Sequence, residues 1–389
     1  MLPLHSPGPS GGQIDPYALG REGLGALLSD QPSYRVEQIQ RWLVRGVDDP
    51  ADMTDQPAAV RERLVELFPR APRLLRHTTA DGGLTHKVLL ECASGEAVES
   101  VLMLYPAREG SAARATVCIS TQAGCAMGCP FCATGQAGFR GQLGLGDVVR
   151  QVTVMQRLLA TGRIDVPGIG DHVTNVVFMG MGEPLANLAV TVDAVRWLHD
   201  PDGFNLSARS MTVSTVGLVP GIRRLQSLAL PITLAVSLHA PNDALRDDLV
   251  PVNRQHPLRE LLAACRRYRE ATGRRLTFEY VLIDGINADV GHARQLADLV
   301  RGLGAHVNLI PMNPTPAVPW KAPSGNAQHA FRATLQQSGV SATIRRNRGT
   351  EIDAACGQLY ADYAVASGKT LPAARGAADR LLAGRRGNG

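Results

Sequence analysis

Six short apolar runs recur through the middle of this 389-residue chain, at residues 115–120, 175–179, 211–215, 232–238, 276–283 and 306–310. Each reads as a β-strand, and each is parted from the next by a stretch long enough for a crossover helix. Residues 147–159, 258–271 and 290–302 show the helical spacing of apolar side chains most plainly. Such alternation implies a parallel sheet, because parallel neighbours cannot be joined by a tight hairpin. The expected fold class is α/β: a partial barrel of about six β/α units rather than a flat doubly wound sheet. In barrels the active site lies at the C-terminal ends of the strands. The polar motifs fall there one after another. A cysteine loop follows the first strand and Gly180-Met-Gly-Glu183-Pro184 the second. Ser214-Thr215 ends the third, Ser237-Leu-His239 the fourth, and Asn313 lies just past the sixth.

The cysteine loop reads Gly124-Cys-Ala-Met-Gly-Cys-Pro-Phe-Cys-Ala-Thr-Gly135, which spaces Cys125, Cys129 and Cys132 as C-x3-C-x2-C. Three thiolates from so short a segment, with no fourth at ligand spacing, can hold three irons of a [4Fe-4S] cube and leave the fourth open. The spacing resembles that of the radical S-adenosylmethionine enzymes, as does Phe131 directly before the last cysteine. The resemblance implies that the open iron chelates the amino and carboxylate groups of S-adenosylmethionine. It also implies that the reduced cluster splits the sulfonium to a 5′-deoxyadenosyl radical. The competing reading is a structural zinc site, but such sites are closed by four ligands, and no histidine stands at ligand spacing nearby.

Composition points to a soluble cytoplasmic enzyme. With 44% hydrophobic residues the chain can bury one large core and a smaller one. Residues 1–12 are rich in Pro, Gly and Ser and lack the apolar stretch of a signal peptide, and the most apolar span, 228–238, is short and interrupted by Pro231. No membrane association is expected. Seven cysteines, clustered at chemical spacing rather than scattered, argue for a reducing compartment. A net charge of +5 suits a polyanionic partner without requiring one.

Ahead of the barrel, residues 34–45 place Ile39, Trp42 and Leu43 on one helical face, and Val60, Leu64, Leu67 and Phe68 repeat the stripe. Residues 87–92 and 97–103 then turn strand-like. The expected organisation is a flexible tail over 1–17, a small helical accessory domain over 18–84, and a β-hairpin connection over 85–110. The barrel follows over 111–350, then a segment with a reactive cysteine over 351–377 and a flexible basic tail over 378–389.

By themselves the strand-end residues have plainer readings. The glycines at 180 and 182 suit a turn, or a backbone brought close to a ligand whose ammonium group Glu183 could bind. Ser214 and Ser237 suit capping hydroxyls, and His239 and Asn313 suit satisfied loop residues. Cys118, alternating with Val117 and Ile119, suits a small core residue, as do Cys92 and Cys265. Cys356, followed by glycine on a loop, is better placed for a reactive thiol.

Four long motifs in order carry a more specific resemblance. They are Cys118-Ile-Ser-Thr-Gln-Ala-Gly-Cys125, Asn175-Val-Val-Phe-Met-Gly-Met-Gly-Glu-Pro-Leu185, Ser237-Leu-His-Ala-Pro-Asn-Asp243 and Ile352-Asp-Ala-Ala-Cys356-Gly-Gln-Leu359. Together they resemble the RlmN family of dual-specificity RNA adenine-C-2 methyltransferases, over residues 34 to 360. The chain departs from the family pattern after the cluster loop, in residues 138–143. It departs again at Gly144-Leu-Gly146, where a helix-capping hydroxyl is usual, and at Met312, where an aromatic is common.

The resemblance implies a radical-SAM barrel and a set of roles. Cys356 would be methylated by one S-adenosylmethionine, give up a hydrogen to the radical made from a second, and add through its methylene carbon to the adenine. Glu99 would remove the proton at carbon 2, and Cys118 would resolve the adduct by forming a disulfide with Cys356. Gly182, Glu183, Ser214, Ser237, Leu238, His239 and Asn313 would contact S-adenosylmethionine. The substrate would be an adenine in 23S rRNA and, for some members, one in tRNA. A flavodoxin or ferredoxin would supply the electron, and a monomer is expected. Arginines at 266, 267, 269, 274 and 275, and at 345, 346 and 348, are candidates for phosphate contacts, against the alternative of a solvated helix face. Aromatics make up only 4% of the chain, so recognition of RNA shape and a flipped base is expected rather than a stacking platform. Three rivals remain: the carbon-8 methylating branch, a glycyl-radical activating enzyme, and a zinc-binding RNA module.

Overall fold

A computed structural model describes residues 14–68, 73–228 and 230–359. Helices α1 (Pro16–Leu27), α2 (Tyr34–Val44) and α3 (Ala58–Leu67) lead into three antiparallel strands, β1 (Leu74–Ala80), β2 (Thr85–Glu91) and β3 (Ala97–Tyr105). Strand β4 (Arg114–Cys118) pairs antiparallel with β3 and opens the parallel series. After it come a small hairpin, β5 (Gln122–Gly124) and β6 (Phe139–Gln142), with α4 (Ala133–Ala137) between them, and then α5 (Leu145–Ala160). Next are β7 (Asn175–Phe178), α6 (Leu188–His199), β8 (Met211–Thr215), α7 (Val219–Ser227), β9 (Thr233–Ser237) and α8 (Asp243–Leu249). The remainder is α9 (Leu258–Thr272), β10 (Leu276–Leu282), α10 (Val290–Val300), β11 (His306–Pro311), α11 (Gly325–Gln337) and β12 (Ser341–Ile344).

Among the described residues ten strands form one open sheet in the order β1-β2-β3-β4-β7-β8-β9-β10-β11-β12, every pair from β4 onward being parallel. The apolar runs supply the wall: Leu234, Ala235 and Val236 of β9 are all buried, whereas β8 alternates, burying Met211, Val213 and Thr215. Helices close the outer face with stripes such as Leu258, Leu261, Ala264, Cys265 and Tyr268 of α9, spaced three and four apart. A second apolar cluster, including Val250, Ile283, Met312 and Trp320, packs around Cys129. No helix among the described residues is long and apolar enough to cross a membrane.

The partial barrel agrees with the sequence, with one strand more than the six apolar runs give. β12 is short and has a single buried residue, Ala342, so it leaves no apolar run to find. Two expected boundaries move. The 1–17 stretch read as a tail ends in structure, since Pro16 and Tyr17 are buried in α1. The 18–84 region read as helical includes β1, an edge strand exposed along most of its length and therefore without apolar alternation. The parts of the expected C-terminal segment beyond residue 359, the 378–389 tail and residues 1–13 lie outside the described residues.

The missing cap at the start of α5 has a structural answer. Asp15 Oδ2 accepts from the Gly146 N–H at 2.7 Å while its Oδ1 accepts from the Tyr17 N–H at 3.1 Å, so one carboxylate caps both α5 and α1. A Cβ at residue 146 would lie 2.5 Å from Asp15 Oδ1, which explains the glycine. A buried Arg150–Asp48 pair, Nε to Oδ2 3.0 Å, fastens the helical region to the barrel at the same place. Replacing Asp15 by Ala removes two caps at about 1 kcal/mol each. A loss of about 2 kcal/mol in urea unfolding is the expected result; an unchanged midpoint would contradict this account of the junction.

Candidate active site

At the C-terminal ends of the parallel strands lies a cavity of about 230 Å3. It is bordered by ten of the thirteen residues singled out from sequence: Cys118, Cys129, Cys132, Gly182, Glu183, Ser214, Ser237, His239, Asn313 and Cys356. Cys125, Leu238 and Glu99 do not border it.

The cysteine loop hangs from the β5–β6 hairpin, where the Cys125 N–H donates to the Gly138 carbonyl at 2.9 Å. Burial raises the Cys125 thiol to about 12 and that of Cys129 well above its ordinary range, and the neighbouring sulfurs of the loop raise both further. Thiols this reluctant to ionise need a cationic partner to become thiolates. Among the described residues, no three His, Cys, Asp or Glu side chains converge as around one metal ion. A [4Fe-4S] cube takes one thiolate at each of three separate corners, so the donor set suits it.

Gly180-Met-Gly-Glu183 runs past the chain that leaves β4. The Gly180 N–H donates to the Ile119 carbonyl at 2.9 Å, the Met181 N–H to Ser120 Oγ at 2.8 Å, and the Glu183 N–H to Gln122 Oε1 at 2.8 Å. A Cβ at 182 would lie 2.5 Å from that of Gln122, and φ there is +96°. The glycines therefore serve the approach of two chain segments, and through it they aim Glu183. The Glu183 carboxylate is buried and accepts from the Leu185 N–H at 3.0 Å and the Val216 N–H at 2.8 Å. Burial raises it to about 7 despite those bonds. Thr215 also bonds the carboxylate, and the acceptor capacity this leaves suits an ammonium ligand at the cavity edge.

At the next strand ends, buried Arg246 braces the backbone. It donates to the carbonyls of Val216 (2.5 Å), Ser237 (3.2 Å) and Leu238 (3.0 Å) and to Asn253 Oδ1 (2.9 Å). Leu238 is buried with its N–H bonded to the Glu279 carbonyl, so both its backbone groups are engaged. His239, at φ +61°, accepts the Val281 N–H on Nδ1 at 3.1 Å and meets the Phe131 ring edge-on at 4.7 Å between centroids. Burial lowers it to about 3, so it is neutral.

Asn313 has a duty its sequence position does not reveal. Its Nδ2 donates to the Cys356 carbonyl at 3.0 Å and its Oδ1 accepts from Asn347 at 2.6 Å. The cysteine loop holds the same segment from the other side, the Ala133 N–H donating to the Gly357 carbonyl at 2.7 Å and Thr134 Oγ1 to that of Leu359 at 3.1 Å. Cys356 is exposed toward the cavity, and the protein packed around the cavity raises its thiol to about 11 against the opposing pull of Arg345. Cys118 ends β4 beside Val101 of β3; burial, and then Cys356, raise it to about 12. Both thiols are free.

Glu99 lies on the same β3 face as the cavity residues Val101, Met103 and Tyr105, but is buried against Lys87, Oε1 to Nζ 2.9 Å. Of the arginines, Arg345 pairs with Glu279 at 3.3 Å, and Arg348 lies 4.3 Å over the Tyr105 ring and donates to the Leu104 carbonyl. Arg346 is exposed at the cavity. The other basic group sits at the opposite end of the sheet, where Arg274 reaches Thr233 and Arg275 reaches Ser341 at the starts of β9 and β12. It cannot serve the cavity. Lys87, Arg246 and Glu279 were not singled out from sequence, although a lysine inside the apolar run 87–92 is a signal of a buried partner.

The model of the radical SAM superfamily matches residues 119–297. A probable dual-specificity RNA methyltransferase RlmN from Frankia casuarinae is 49% identical over 363 residues, covering 92% of this chain and 84% of that one. One of the same description from Cutibacterium acnes is 48% identical, covering 85% and 82%. The crystal structure of a radical SAM methyltransferase from Sphaerobacter thermophilus superposes with a TM-score of 0.83 at 46% identity, covering 90% of this chain and 99% of that one.

Proposed function

This chain belongs to the RlmN family of radical S-adenosylmethionine methyltransferases, and on that premise we propose that it methylates carbon 2 of an adenine in the peptidyl-transferase region of 23S rRNA, and of the adenine 3′ to the anticodon in tRNA. The observation that carries this reading is the pair of free thiols, Cys118 and Cys356, on one cavity with the cysteine loop. Carbon 2 of adenine is electron-poor and bears no acidic proton, so simple nucleophilic capture of a methyl cation equivalent is closed to it. A carbon radical has no such requirement.

Cys125, Cys129 and Cys132 would hold the [4Fe-4S] cluster, which when bound supplies the electron that splits S-adenosylmethionine into methionine and an alkyl radical. Glu183 would accept a bond from the ammonium group of the cosubstrate, and Gly182, Ser214, Ser237 and His239 would shape its place. Asn313 would act through Cys356, by fixing its carbonyl. Leu238 would contribute by packing. Cys356 Sγ takes the methyl group of one cosubstrate, losing its thiol proton. The resulting methyl thioether gives up a hydrogen atom to the alkyl radical, its carbon bonds to carbon 2 of the base, and the unpaired electron this leaves on the ring would pass to the one-electron acceptor that the oxidised cluster supplies. Glu99 then removes the proton at carbon 2. Cys118 Sγ attacks Cys356 Sγ; the sulfur–carbon bond breaks, its electron pair and a proton complete the new methyl group, and a disulfide remains. A reductant of the flavodoxin or ferredoxin class would supply the cluster's electron, and the protein would work as a monomer in the cytoplasm.

Mass spectrometry of 23S rRNA and tRNA from cells with and without the gene tests the assignment. Loss of 2-methyladenosine on deletion is expected; its persistence, or loss of 8-methyladenosine in its place, would overturn it.

A further inference from the structure

Lys87 is an unusual residue for the interior of a sheet. Its side chain is 5% exposed and that of Glu99 4%, with 2.9 Å between Nζ and Oε1. A buried ion pair of this kind is seldom retained for stability, since two well-packed apolar residues do as well or better. Its place in the fold gives it another use. The same ammonium lies 3.4 Å from the Asp353 carbonyl, three residues before Cys356. Asp353 is in the left-handed region, at φ +51°, so the loop there is held in a conformation it would not adopt freely. A second tie runs from the start of β2 to the same loop, because Asp81 Oδ2 accepts from Thr85 Oγ1 at 2.5 Å and from the Gly349 N–H at 3.0 Å.

We infer that Lys87 is a positioning residue for adduct breakdown, a cation that touches the Glu99 carboxylate and the segment bearing Cys356 at once and sets the one relative to the other. This rests on the reading of Glu99 as the base given above. When the adenine is joined through carbon 2 to the Cys356 methylene and the unpaired electron of the addition has left the ring, the proton on carbon 2 must pass to Glu99 while the carbon–hydrogen electron pair returns to the ring. That transfer needs the carboxylate within hydrogen-bond reach of one carbon atom. Lys87 fixes the strand that carries the base and the loop that carries the adduct at one point. Formation of the adduct does not need the base, so the effect of Lys87 falls on the later step.

The test uses full-length, cluster-loaded protein with an unmodified RNA fragment, S-adenosylmethionine and reductant. The variants are K87M, K87Q, K87R and E99Q. Iron content, protein–RNA crosslink on denaturing gels, and released 2-methyladenosine are followed together. K87Q keeps a donor to Glu99 and to the Asp353 carbonyl, so it guards against a simple failure of K87M to fold. K87M and K87Q are expected to form crosslink at near the wild-type rate and to release product at least tenfold more slowly. K87R, which keeps the charge, should recover most of the release rate. A merely structural role would lower iron content and crosslink formation together, and that result overturns the inference. So does wild-type release by either uncharged variant with full iron. Wild-type release by E99Q would instead remove Glu99 as the base, whatever the lysine variants do.

Discussion

Cys118→Ala protein, supplied with RNA and S-adenosylmethionine under reducing, oxygen-free conditions, is expected to stop as a covalent protein–RNA species, with product release lowered on the order of a hundredfold or more. Cys118 ends β4 next to Val101, on the wall of the cavity that also receives Cys356. Its thiol, raised to about 12 by burial, is protonated at neutral pH and is a poor nucleophile at rest. It is therefore suited to act late, when the adduct supplies a sulfur to attack. Cys356→Ala removes the carbon carrier itself, so neither crosslink nor methylated base should form. Freely turning-over Cys118→Ala protein would refute the resolving role.

Gly124→Ala has the second large expected effect. Gly124 precedes the first cysteine of the loop at φ +74°, and a Cβ there would lie 1.9 Å from the Gly138 carbonyl oxygen. That oxygen accepts the Cys125 N–H, so the substitution breaks the bond that hangs the cysteine loop on its hairpin. The left-handed conformation costs a side chain about 1–2 kcal/mol even without the clash. The barrel strands lie elsewhere, so far-UV circular dichroism should remain near that of the wild type while most of the iron and sulfide is lost. Full iron content in the variant would contradict the assigned place of the loop.

The parts of this molecule that repeat are legible in its sequence. Six apolar runs and their crossover stretches mark the barrel because burial on both faces leaves a plain trace, as in Leu234 to Val236. The cysteine array is legible because its chemistry depends on spacing along one loop. What escaped depends on partners distant in the chain. Asp15 caps a helix that begins 130 residues later, and nothing near Gly144-Leu-Gly146 announces it. Asn313 reads as a loop asparagine until Cys356 and Asn347 close on it. β1 and β12 escaped because edge strands bury too little to alternate. The glycines at 180 and 182 were legible as close approach, but what approaches is the chain at Ile119–Gln122.

The central claim is that the new methyl carbon passes through the sulfur of Cys356, and deuterium reports it directly. Cluster-loaded protein is turned over several times with RNA, a cluster reductant, a thiol to reopen the disulfide and S-adenosylmethionine carrying a fully deuterated methyl group, and the methylated adenosine and the 5′-deoxyadenosine are weighed by mass spectrometry. Passage through Cys356 predicts a methyl group that has exchanged one deuteron for a proton, with the missing deuteron in 5′-deoxyadenosine. A methyl group arriving with all its deuterium would mean direct transfer to the base and would contradict the account.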